Sequence, residues 1–248
     1  MDLNADMAEA SGPEGWAADA ALLEVVTSAN IACGGHAGDQ QTMRRACEAA
    51  LELGVRIGAH PGYADRENFG RVELELAADQ IVEQVAEQIA LLEQIAAEAG
   101  GAVTHVKPHG ALYHRALRDA ELAPALATLF AYMDRAPVVL APARGALTAA
   151  VRERGLRCAA EGFADRAYDG AGLLVPREQP GSVLTAGAAI EQAVLLAREG
   201  KVVASDGTEV AFEVDSICVH GDTPGALELA RGVRSALGDA GIEVRAFV

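Results

Sequence analysis

Thr104-His105-Val106-Lys107-Pro108-His109-Gly110 decides how the rest of the chain is read. A short β-branched run ends in a lysine, a histidine and a glycine, and Pro108 cannot donate to a sheet ladder, so the strand stops where the polar chemistry starts. Val55-Arg56-Ile57-Gly58-Ala59-His60-Pro61-Gly62 and Ser216-Ile217-Cys218-Val219-His220-Gly221-Asp222 have the same shape. Three strand patterns that each deliver a histidine at the C-terminal end point to one shared site.

Working outward, Asp2-Leu3-Asn4-Ala5-Asp6 suits a first strand ending at Asp6. Asp19 is expected to cap a helix carrying Leu22, Leu23, Val25 and Val26. Ser28 to Cys33 reads as a small-residue strand running into the glycine cluster Gly34-Gly35-His36-Ala37-Gly38, and Asp39 as the cap of a helix that Gly54 stops. Tyr63 to Arg71 is a long loop expected to cover a site. Ile81, Val85, Ile89, Leu92 and Ile95 mark an amphipathic helix from Ala78 to Ala99. A helix over 122–133, a strand at Val138-Val139-Leu140 and a helix over 145–154 follow. The next run ends in Glu161-Gly162-Phe163-Ala164-Asp165-Arg166. Tyr168 to Ser182, rich in glycine and proline, reads as an irregular lid. A helix over 186–199 precedes a hairpin about Asp206-Gly207, and after the seventh main strand Thr223-Pro224 opens a last helix.

Seven strands alternating with helices call for parallel βα units. Closed into a barrel they bring every strand C-terminus to one face, whereas an open doubly wound sheet gathers only the residues at its switch point. The 248 residues suit one domain, 1–248. With 51% hydrophobic but 4% aromatic residues, the core is expected to be aliphatic. Lys and Arg number 20 against 36 Asp and Glu, a net charge of −16 that disfavours nucleic acid. No apolar run is long enough for a bilayer and Met1 to Asn4 lack a secretory pattern, so a cytoplasmic protein is expected. The four cysteines lack C-x-x-C spacing, and Cys33 and Cys218 read as buried thiols.

The barrel would gather Asp6, His36, His60, Lys107, His109, Glu161, Asp165, Arg166, His220 and Asp222. Lys107 suits a clamp for a substrate carboxylate or a developing oxyanion. His109 is the first choice for acid–base work because an imidazole titrates near neutrality, with His60 and His220 beside it. Asp6 and Glu161 compete for the general base. Asp165-Arg166 could pair to hold the lid, with Arg166 reaching an anionic substrate, and Asp222 could bind substrate or cap a helix. His105, one position out of phase with the neighbours of Lys107, reads as structural.

Together Asp2 to Asp6, Ala29 to Asp39, Gly58 to Tyr63, Val106 to Tyr113, Glu161 to Arg166 and Cys218 to Asp222 resemble the LamB/YcsF family, the A subunits of three-component bacterial 5-oxoprolinases. The resemblance implies an irregular seven-stranded β/α (TIM-like) barrel, glycoside hydrolase/deacetylase-like, and ATP-dependent opening of 5-oxoproline to L-glutamate with subunits B and C. It also makes Asn30 and His36 substrate-binding candidates. ATP is implied only through the complex, because the chain has no G-x-x-x-x-G-K-[ST] segment. The histidines and carboxylates also suit zinc or manganese, as in the deacetylases, although no HxxxH or HExxH spacing is present. That leaves two alternatives, a metal-dependent amide or N-acetyl hydrolase and a non-catalytic substrate-binding subunit. Gly35 stands where the family usually has phenylalanine, Gln40 for proline, Met7-Ala8 for Leu-Gly, Ala18 for aspartate and His114 for asparagine. Gly35 is expected to reshape one wall of the pocket.

Overall fold

Polar and apolar residues alternate along Asp2–Met7 (β1), yet every one of them is buried. In the computed structural model, which describes residues 1–10, 12–221 and 225–247, this alternation is explained by a closed barrel with a polar lumen. Leu3 and Ala5 pack outward against helices, while Asn4 donates to Ser216 Oγ at 2.7 Å and Asn30 donates to Asn4 Oδ1 at 2.7 Å and Asp6 Oδ1 at 2.9 Å. Buried polar groups are tolerated because they pair across the lumen. The aliphatic core expected from composition therefore lies between barrel and helices.

The other barrel strands are Ser28–Ala32 (β2), Arg56–His60 (β3), His105–Val106 (β4), Val138–Ala141 (β5), Cys158–Phe163 (β6) and Ser216–Cys218 (β9). All seven are parallel, β1-β2-β3-β4-β5-β6-β9, and β9 closes on β1. Lys201–Val203 (β7) and Glu209–Ala211 (β8) form the antiparallel excursion expected around Asp206-Gly207. Helices Gly12–Leu23 (α1), Gln40–Leu53 (α2), Ala78–Glu98 (α3), Gly110–Arg118 (α4), Leu122–Ala131 (α5), Ala146–Glu153 (α6), Ala186–Glu199 (α7) and Ala226–Asp239 (α8) complete the described elements.

Asp39 caps α2, accepting from Thr42 N at 2.8 Å, and Gly54 ends it at φ 71°. Two expectations change and one helix is added. Asp19 is not a cap but lies within α1, its Oδ2 accepting from Ala8 N at 2.9 Å. Helix α4 follows Lys107 directly, starting at Gly110 with φ 52°, where a Cβ would lie 2.7 Å from the Gly70 carbonyl oxygen. His105 faces inward like Lys107, with Nε2 3.0 Å from Asn30 Oδ1, and Gly58 leaves room for its ring. The Thr223-Pro224 helix start lies outside the described residues.

Candidate active site

Lys107 follows β4, and its ammonium points into the barrel mouth. Nζ lies 3.0 Å from Asp6 Oδ1, 2.9 Å from Glu161 Oε1 and 3.2 Å from Cys218 Sγ. Burial opposes a charge on Lys107, but the carboxylates of Asp6 and Glu161 more than offset it and hold its pKa well above the usual lysine value. Burial likewise opposes the Asp6 carboxylate, yet His60 and Lys107 keep it ionised, well below the usual range. Tyr113, on α4, donates to Glu161 Oε2 at 3.0 Å. Glu161 is fully buried and does not line the cavity, so it holds Lys107 and is misplaced for the general-base role expected of it. Asn30 is similarly below the cavity and steadies Asp6 where substrate contact was expected.

Beside this centre three imidazoles meet. His60 Nε2 is 3.4 Å from Asp6 Oδ2 and 3.1 Å from His109 Nδ1. His36 stacks on His109 with ring centroids 3.7 Å apart, and its Nε2 is 3.0 Å from Glu9 Oε1. Burial and the neighbouring His60 push the pKa of His109 well below the usual histidine value, away from the neutrality expected of it. For His60 burial also favours the neutral ring, but Asp6 outweighs it and the pKa is raised. His36 sits behind His109, off the cavity, and is not placed for the expected substrate contact. Glu9, three residues past Asp6, was not foreseen, although it lines the cavity. Ala8 before it adopts φ 60°, a left-handed conformation at the position where the family usually has glycine. The ligand atoms of Glu9, His36, His60 and His109 lie within 4.8 Å of one another, a donor set that suits a divalent ion.

On the opposite side Asp165 Oδ1 lies 2.9 Å from His220 Nδ1, and Phe163 stacks on the His220 ring at 5.4 Å. Arg166 serves the lid by donating to the Val175 carbonyl at 2.6 Å and the Ser182 carbonyl at 3.2 Å. Fully buried Tyr168 accepts from Phe163 N at 2.7 Å. The Tyr63 to Arg71 loop does cover the site, its Phe69 carbonyl accepting from His109 Nε2 at 2.9 Å. Between loop and lid lies a cavity of about 370 Å³. Its floor is Asp6, His60, Lys107 and His220, and its walls bring Arg71, Arg118, Arg166 and Arg177 to an otherwise acidic molecule. Gly35 is not part of it, and the space a side chain would need there is taken by Gln88, which bonds the Gly62 backbone. Burial pushes the Cys33 thiol up to about 12 and Cys218 well above its usual value, as befits unreactive buried thiols. Asp222 lies outside the described residues.

The sequence that brings one cation, several carboxylates and several histidines to these strand ends matches the LamB/YcsF family over residues 1–248. The chain belongs to the LamB/YcsF family. A relative from Nocardia farcinica, named as the A subunit of 5-oxoprolinase, is 48% identical over 248 residues, covering 100% of this chain and 99% of the relative. The family barrel is matched by the crystal structure of the lactam utilization protein from Thermus thermophilus, with a TM-score of 0.91 at 41% identity, covering 100% of this chain and 99% of that one. A family 4 carbohydrate esterase from Streptomyces lividans, with a TM-score of 0.51 at 12% identity over 100% of this chain and 93% of that one, shares the fold. No helix among the described residues is long and apolar enough to cross a membrane.

Proposed function

We propose that this chain is the A subunit of a cytoplasmic ATP-hydrolysing 5-oxoprolinase and opens the cyclic amide of 5-oxo-L-proline to L-glutamate together with subunits B and C. The observation that carries this reading is the end-to-end 48% identity to the A subunit of a 5-oxoprolinase. The site supplies what the reaction needs. A lactam is a resonance-stabilised amide, so the carbonyl oxygen must be activated, and phosphorylation by ATP does this. The sequence has no phosphate-binding loop, and this reading assigns that step mainly to the partners.

Water adds to the activated carbon and its proton passes to Asp6. Lys107, fixed between Asp6 and Glu161, stabilises the negative charge that develops on oxygen. His220, its Nδ1 held by Asp165, carries a proton at Nε2 to the departing nitrogen as the C–N bond breaks. Protonation at nitrogen makes the amine leave before the phosphoryl group, which a second water then removes as phosphate. The arginine wall receives the substrate carboxylate and the phosphoryl oxygens. A divalent ion on the Glu9 and histidine cluster would supply Lewis-acid polarisation.

The test is glutamate release from 5-oxoproline and ATP by the chain reconstituted with subunits B and C. Release that requires all three subunits supports the reading. An assembled complex that makes no glutamate, or full turnover by the isolated chain, overturns it.

A further inference from the structure

Two carbonyl oxygens fix one proton on each of a pair of facing histidines. His60 Nδ1 lies 2.7 Å from the Lys107 carbonyl oxygen. A carbonyl only accepts, so Nδ1 carries a proton, and a neutral His60 ring presents its lone pair at Nε2. His109 Nε2 lies 2.9 Å from the Phe69 carbonyl oxygen, which places its lone pair on Nδ1. With His60 neutral, these two lone pairs face each other at 3.1 Å. Such a contact is repulsive unless a positive centre shares it. Glu9 Oε1 completes a triangle, 3.4 Å from His109 Nδ1 and 3.9 Å from His60 Nε2.

We propose that Glu9, His60 and His109 bind one divalent first-row ion, zinc or manganese, with its open side toward the cavity. A four-coordinate ion with bonds of roughly 2.0–2.1 Å holds its ligand atoms about 3.3 Å apart, and the three edges of this triangle bracket that spacing. Two imidazoles and a carboxylate are the donor types such ions take. Each histidine is anchored through its other nitrogen to a backbone carbonyl, the outer support that ligating histidines use. His36 holds Glu9 at 3.0 Å and stacks on His109, so two of the three ligands are fixed from behind. All three ligands line the cavity, with Asp6 Oδ2 3.4 Å from His60 Nε2 on the barrel side.

The rival positive centre is a second proton on His60, and metal binding separates the two. The full chain is stripped by dialysis against a chelator and then equilibrated with Zn²⁺, Mn²⁺ or Co²⁺. Bound ion is read by elemental analysis and, for Co²⁺, by its visible absorption bands. A single ion per chain is expected, with affinity lowered roughly tenfold or more in each of Glu9→Gln and His109→Asn and unchanged in Asp165→Asn, folding being followed by circular dichroism. Wild-type chain that takes up no ion at millimolar free metal overturns the site, as does undiminished binding by a folded Glu9→Gln/His109→Asn double variant. Neither ATP nor 5-oxoproline enters the measurement, so its failure is distinct from failure of the ring-opening reading.

Discussion

Lys107 Nζ lies 3.0 Å from Asp6 Oδ1 inside the barrel mouth, with the two side chains only 3% and 8% exposed. Removing one member of a buried pair strands the other, at a cost of about 3–5 kcal/mol. Lys107→Met is therefore expected to lose that much stability in urea unfolding and to lower glutamate release about a hundredfold or more. Adding Glu161→Gln to Lys107→Met removes one of the stranded carboxylates. The double variant should recover part of the stability while staying inactive. Recovery of activity along with stability would reduce Lys107 to a structural part.

Proton delivery is the task assigned to His220. Its ring is held by Asp165 at 2.9 Å and by stacking on Phe163. In the reconstituted complex His220→Gln should lower kcat about a hundredfold or more, with KM within a few-fold of wild type. Asp165→Asn, which leaves the ring in place, should have a smaller effect in the same direction. A His220→Gln complex with wild-type kcat would take this histidine out of proton transfer.

Much of this arrangement was legible because Lys107, His60 and His220 each stand where an apolar run ends, and a parallel barrel aligns such ends on one face. The lumen was less legible. Asp2, Asn4 and Asn30 look like the wet side of a half-exposed sheet, but ring closure hides them and cross-barrel hydrogen bonds satisfy them. Glu9 escaped because it follows a left-handed turn at Ala8 and belongs to no periodic element. Helix α4 escaped because its start depends on a positive φ at Gly110 and on close approach to Gly70, with no polar cap to announce it. The state of His109 depends on burial beside two other rings, which its own sequence neighbours do not reveal.

Arg166 ties the lid to the barrel through the Val175 and Ser182 carbonyls. Arg166→Met removes both bonds while retaining much of the side-chain bulk. Proteolysis within 168–182 should accelerate, and KM for 5-oxoproline should rise several-fold. Unchanged cleavage and unchanged KM would mean that the lid is held by its remaining contacts.

Gly58 faces the His105 ring so closely that an added Cβ would lie 2.0 Å from Nε2. The ring is itself held by Asn30 at 3.0 Å, so relief requires movement in the layer that supports Asp6. Gly58→Ala is expected to cost about 1–3 kcal/mol, measured by urea unfolding. Gly58→Ala/His105→Ala should be less destabilised than the two single costs added together. Strict additivity would show that the two positions do not press on each other.

Asp19 gives a pH dependence of known sign. Burial raises its pKa to about 6, although its carboxylate accepts from Ala8 N. A carboxyl group whose folded-state pKa exceeds its unfolded value near 4 binds protons more tightly when folded. Its contribution is therefore fully present below pH ~4 and is lost as the pH rises through about 6. The penalty at neutral pH is about 2 kcal/mol once solvent screening of a half-buried group is allowed for. Asp19→Asn cannot ionise and keeps an acceptor for Ala8 N, so the turn before Glu9 stays intact. Unfolding at pH 4 and pH 8 should show the variant close to wild type in acid and more stable in base. A variant that is less stable at pH 8 would mean that the charge on Asp19 is used, through Ala8, to hold the turn that presents Glu9.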